Sequence, residues 1–160
     1  MRTIKITVKN TVKKYGEDIL KSENMKLGKR YMQHGKTSVY MHSLNVAYLS
    51  LFIAYLFKIN VNEKALIRGA LLHDYFLYDW HIKDEAHRLH GFTHAKSAFV
   101  NAEREFNIND IEKDIILKHM FPLNITPPKY RESVIVCMAD KIIAAAEMLY
   151  ITSLLWHLFV

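Results

Sequence analysis

The chain has 160 residues, 51% of them apolar and 24% charged, with only five glycines and three prolines. That balance fits one helix-rich globular domain with a sizeable core, and it excludes collagen-like, low-complexity and extensively disordered classes. A formal charge of +6 favours an anionic partner such as a nucleotide or phosphorylated metabolite; the lysines and arginines are scattered, which points to a solvated basic surface rather than a nucleic-acid patch.

A single cysteine, Cys137, cannot form an internal disulfide, and Met1-Arg2-Thr3-Ile4-Lys5 lacks the apolar core of a signal peptide, so the reducing cytoplasm is expected. The apolar stretch from Met148 to Val160 is interrupted by Thr152, Ser153 and His157. It is shorter than the roughly 20 residues of a membrane span, so no membrane partner is expected.

In chain order, Val8, Val12, Tyr15 and Ile19 sit at helical spacing within 5–21, although Ile4 to Val8 also alternates like a strand. Residues 27–36 read as a loop, with Thr37 or Ser38 placed to cap the next helix. Val39, Val46, Leu49, Ile53 and Leu56 predict an amphipathic helix over 38–57 with His42 inside its apolar stripe. A turn at Asn60 and Asn62 leads to a helix opening at Glu63 and ending at His73-Asp74. The aromatic and histidine-rich segment 75–91 keeps no period and reads as an ordered loop with room for one short helix. Thr93 is the expected cap of a helix reaching about Phe106, and Asn109 or Asp110 caps the next, which carries Ile111, Ile115 and His119. Pro122, Pro127 and Pro128 mark a loop before a long helix from about Tyr130, with Ser133, Val136, Asp140, Ile143 and Glu147 along one face. The expectation is an all-α single domain of six to seven helices, spanning 1–160. Its core is 37–147, with an N-terminal helix at 5–21 and an apolar C-terminal helix at 148–160 packed on it, the latter leaving a homodimer contact open.

Asp140 on an apolar helix face calls for compensation, because burying an ionised carboxylate costs several kcal/mol unless a cation or a set of donors balances it. A metal ion is the strongest such compensation. Adjacent helical residues point about 100° apart, so His73 and Asp74 reach one ion only where the helix ends. His42 alone reads as a core histidine; set in order with His73, Asp74 and Asp140, it reads as a ligand.

That order, His, His-Asp, Asp, resembles the signature of the HD superfamily of metal-dependent phosphohydrolases. His90 in His90-Gly91-Phe92-Thr93-His94-Ala95 looks like the histidine that dinuclear members place in a His-x-x-x-Gly-Ala segment, and His119 resembles the further histidine about one helix later. His94 stands where many relatives have glycine. This leaves His90 and His94 as alternatives for one ligand, His90 being the nearer match and His94 then a supporting or substrate-facing residue.

The resemblance implies that His42, His73, Asp74 and Asp140 hold one ion, and that Asp74 bridges to a second held by His90 and His119. Imidazole and carboxylate without thiolate suit Fe, Mn, Co, Ni or Zn. The implied reaction is hydrolysis of a phosphoester or phosphoanhydride of a nucleotide or other small phosphorylated metabolite by a metal-activated hydroxide. Asp74 is central to it, and Lys141, beside Asp140, occupies a position where such enzymes often carry a basic residue. Arg88 and Lys36 are further candidates to meet the phosphate. Two other readings share the residues: a di-iron oxygenase of the same fold, and a non-catalytic nucleotide-sensing module. Retention of six ligand-type residues argues against the latter, and the absence of a Gly-Tyr-Pro element after His119 argues against a cyclic-dinucleotide phosphodiesterase.

Overall fold

Burial decides the first long element. Val8, Val12 and Ile19 are all buried on one side of α1 (Arg2–Lys21), so the helical spacing prevails over the strand-like alternation. Thr7 and Thr11 donate their hydroxyls to the carbonyls of Thr3 and Thr7 at 2.9 and 2.8 Å, which keeps these β-branched residues compatible with a helix. The computed structural model describes residues 2–80 and 90–149.

The stretch expected as a loop holds more order than its sequence announces. A short helix α2 (Glu23–Leu27), capped by Ser22, precedes an antiparallel hairpin of β1 (Met32–His34) and β2 (Thr37–Ser38). Gly35 turns the hairpin at φ 56°, a left-handed conformation that glycine adopts without strain. Met32 pairs with Ser38 and His34 with Thr37, so β1 takes two steps where β2 takes one, and Gln33 is the extra residue of a bulge.

Ser38 then caps α3 (Val39–Leu56), its hydroxyl accepting from the Met41 N–H at 3.3 Å. By length and composition α3 could cross a membrane, but 61% of it is buried inside the protein, where α1, α4 and α7 surround it. It is the central helix of the bundle, which is why it is apolar nearly all round. Lys58, at φ 54°, ends it. Asn62 caps α4 (Glu63–Leu72), whose residues from Ala65 to Leu72 are all buried.

Helix α5 (His90–Glu105) starts earlier than expected: Thr93 lies inside it rather than capping it. Ala95, Ala98 and Ala102 are buried on the side packed against α6, and this contact outweighs the local capping preference. The cap expected for α6 (Asp110–Lys118) is present as a full capping box between Asn109 and Glu112. Helix α7 (Arg131–Met148) buries the predicted face of Ser133, Val136, Asp140, Ile143 and Glu147. The described residues thus form seven helices and one small hairpin, an all-α architecture. The apolar segment 150–160, read as a packed helix or an oligomer contact, lies outside the described residues, as does 81–89.

The core runs through α1, α3, α4, α6 and α7, with Leu51, Leu66, Ile67, Leu71, Ile115 and Ile143 among its largest buried side chains. Its upper end is closed by helix termini. Both α4 and α6 finish there, α5 begins there, and the bulged strand β1 touches α3 and α7 beside them.

Candidate metal centre

Two histidines are placed by one rule. His73 follows α4 and His119 follows α6, each at the position just past the last helical residue. Carbonyls near a helix C-terminus lack intrahelical partners, and each imidazole takes one: Nδ1 of His73 donates to the Ala70 carbonyl at 2.7 Å, and Nδ1 of His119 to the Ile116 carbonyl at 2.8 Å. With Nδ1 engaged by the backbone, Nε2 is the ring atom left to face the centre.

His42 arrives from the middle of α3 and is held by α7. Its Nδ1 lies 2.8 Å from Oε2 of Glu147 and its Nε2 3.0 Å from Oδ1 of Asp140. Asp74, one residue beyond the end of α4, stands between two groups: Oδ2 is 3.2 Å from His73 Nε2 and 3.7 Å from His42 Nε2, while Oδ1 is 3.3 Å from His94 Nε2 and 3.5 Å from His119 Nε2. The His94 and His119 Nε2 atoms are 2.9 Å apart. All seven side chains are buried.

The electrostatics are those of acids held ionised. Burial opposes charge on Asp74 and Asp140, but the surrounding imidazoles hold both carboxyls well below their usual range. Burial would likewise lower His42, yet Asp140 and Glu147 together push it up to about 9, and Asp74 and Asp140 raise His73. His119 goes down, driven by burial and by the nearby His73 and His94 against the pull of Asp74.

These residues fit cations. Atoms sharing one ion at about 2.0–2.2 Å lie about 3.0–3.6 Å from one another by geometry, and the contacts among His42, His73, Asp74 and Asp140 run from 3.0 to 3.7 Å. His73 Nε2 and Asp74 Oδ1 are buried without a hydrogen-bond partner among the described residues, which is costly for a protein unless something else engages them. The potential ligand sets are His42, His73 and Asp74, and Asp74, His94 and His119, with Asp140 beside the first.

His94 therefore belongs with the ligand atoms, although its sequence context suggests a supporting or substrate-facing place. It falls there because α5 starts early and puts His94 on the stripe of Ala98 and Ala102. His90 opens α5, and its side chain lies outside the described residues, as does Arg88. Lys36 is exposed in the hairpin turn, with no contact to the centre among those described. Lys141 donates to the His119 carbonyl at 2.8 Å and the Cys137 carbonyl at 3.3 Å, so its charge rests on the end of α6 directly behind a ligand. Arg68 is buried in a structural pairing with Asp18 and Glu112. Two further residues at the centre fall outside the motif. Glu147 is readable as the partner of His42, lying two helical turns beyond Asp140 on the same face. Gln33, whose Nε2 donates to Asp74 Oδ2 at 2.6 Å, carries no sequence signal.

A helical bundle with a buried histidine and carboxylate centre shaped for two cations is the class these features define. The HD domain family model matches residues 39–145, and the chain belongs to that family, most of whose members are metal-dependent phosphohydrolases. No curated protein and no solved structure matches the chain.

Proposed function

We propose that this protein is a metal-dependent phosphohydrolase that cleaves a phosphoester or phosphoanhydride of a nucleotide or other small phosphorylated metabolite. The observation that carries the reading is the sharing of Asp74, one carboxylate oxygen turned to His42 and His73 and the other to His94 and His119. When bound, a pair of divalent ions about 3.5–4 Å apart would lower the pKa of a water and neutralise phosphoryl oxygens.

The chain's own residues provide the rest. His42, His73, Asp140 and one oxygen of Asp74 would hold the first ion, and His94, His119 and the other oxygen the second. Fixing Nδ1 of His73 and His119 on backbone carbonyls keeps both Nε2 atoms aimed inward without reorganisation. Lys141 adds positive charge at the end of α6, and the net basic charge favours arrival of an anionic substrate.

The test is metal analysis of the purified protein followed by a phosphate-release screen over nucleotides and phosphorylated metabolites with Mn, Fe, Co, Ni and Zn. We expect up to two equivalents of metal, one for each ligand set, and phosphate release that His73→Ala and Asp74→Ala both abolish. Oxygen consumption by a reduced iron form with no phosphate release under any metal would overturn the reading in favour of a di-iron oxygenase. Tight nucleotide binding without turnover would overturn it in favour of a sensor.

A further inference from the structure

Gln33 is the buried side chain among those described in the hairpin. Its neighbour Met32 is 41% exposed, whereas Gln33 is 6% exposed, as the alternation of faces along a strand requires once Met32 points outward. The strand is also held from outside, since Trp80 Nε1 donates to the Met32 carbonyl at 3.2 Å.

The two halves of the amide have different fates. Nε2 donates to Asp74 Oδ2 at 2.6 Å, while Oε1 is buried with no hydrogen-bond partner among the described residues. Exchanging the two atoms would set two acceptors against each other at that distance, so the chemistry fixes the amide's orientation. A buried carbonyl without a donor costs about 1–3 kcal/mol, and replacing the glutamine by an apolar residue would remove that cost. The amide is therefore poorly explained as packing.

We infer that Gln33 is a positioning residue for the metal centre: its N–H holds Asp74 in the orientation that divides the two carboxylate oxygens between the two ligand sets, and its carbonyl accepts a hydrogen bond from a donor brought into the site. A fully ionised phosphoryl oxygen only accepts hydrogen bonds, so the donor class is a water or a substrate hydroxyl or amine. The inference rests on the metal-centre reading, but not on the identity of the reaction.

The experiment compares Co(II) binding to the wild-type chain, Gln33→Met and Gln33→Ala, read by titration and by the visible spectrum of the bound ion, with thermal unfolding in chelator as the check of folding. Loss of a hydrogen bond behind a ligand typically weakens metal binding about 10–100-fold; we expect a loss of that size in both variants, an altered Co(II) spectrum, and cooperative metal-free unfolding of both, at a temperature lowered by the lost hydrogen bond to Asp74 and, in Gln33→Ala, by the space left behind. Unchanged affinity and spectrum in either variant would overturn the inference: in both, it would make Gln33 a space-filling residue, and in Gln33→Ala alone, it would show the Met effect to be steric. A wild-type chain that binds Co(II) but releases no phosphate from any substrate would instead overturn the proposed reaction and leave this inference standing.

Discussion

At the scale of single residues, the centre is governed by what lies behind each ligand. His73 and His119 lean on backbone carbonyls, but His42 leans on Glu147, a full carboxylate with no exposure to solvent on its side chain. A carboxylate behind a ligating imidazole makes it a better electron donor and fixes its tautomer. Glu147→Gln keeps the shape and an acceptor for Nδ1 while removing the charge. We expect that variant to bind the first ion about 10–100-fold more weakly, measured by competition with a chelating dye; equal affinity would show that the carboxylate serves packing alone. The residue was within reach of the sequence, because Asp140 and Glu147 share the face that also carries Val136 and Ile143, all buried. Gln33 was not, since a three-residue strand is too short for alternation to register in the sequence. The ambiguity between His90 and His94 had the same root: the local motif marked a helix start, and only packing shows where that helix begins.

At the scale of elements, the centre depends on how closely α4 and α6 approach. A Cβ at Gly69 would lie 2.5 Å from Cδ1 and 3.0 Å from Cβ and Cγ2 of Ile115, so the helices cross with nothing to spare. One turn beyond that crossing stand His73 and His119, their ring centroids 4.8 Å apart. The same contact that packs the core therefore sets the gap between the two ligand sets. Gly69→Ala gains up to about 1 kcal/mol of helix preference and loses about 1–3 kcal/mol to overpacking. We expect a net destabilisation of about 1 kcal/mol in urea together with weaker binding at His94 and His119. Trimming the facing side chain with Ile115→Val in the same protein should restore much of both; a double variant no better than Gly69→Ala would disconnect the crossing from the site. The long helices were legible because their burial is periodic, as in Val39, Val46 and Leu49 of α3. What was not legible is this crossing, because a glycine within a helical pattern reads as a weakness until its neighbour is known.

At the scale of the whole molecule, the centre joins stability to pH in opposite senses with and without metal. In chelator, His42 is raised from its ordinary 6.5 to about 9 by Asp140 and Glu147, and His73 is raised as well. A base raised on folding contributes stability that is complete below its unfolded pKa and is lost as pH climbs through the folded one. Asp74 and Asp140 are lowered, so their contribution is present above the ordinary carboxylate range and disappears as pH falls through it. The chelated protein should accordingly be most stable between about pH 4 and 6.5 and should weaken steadily toward pH 9. A cation needs the Nε2 lone pairs that those protons occupy, so its binding releases protons and strengthens over the same interval. Binding at a hundredfold excess over Kd adds about 2.7 kcal/mol, or roughly 5–10 °C of unfolding temperature for a chain of this size. The gap between unfolding curves in Mn(II) and in chelator should therefore widen from pH 6 to pH 9, read by scanning calorimetry at matched ionic strength. Parallel curves would mean that the ion does not compete for the protons on His42 and His73, and that the buried charges are balanced without metal.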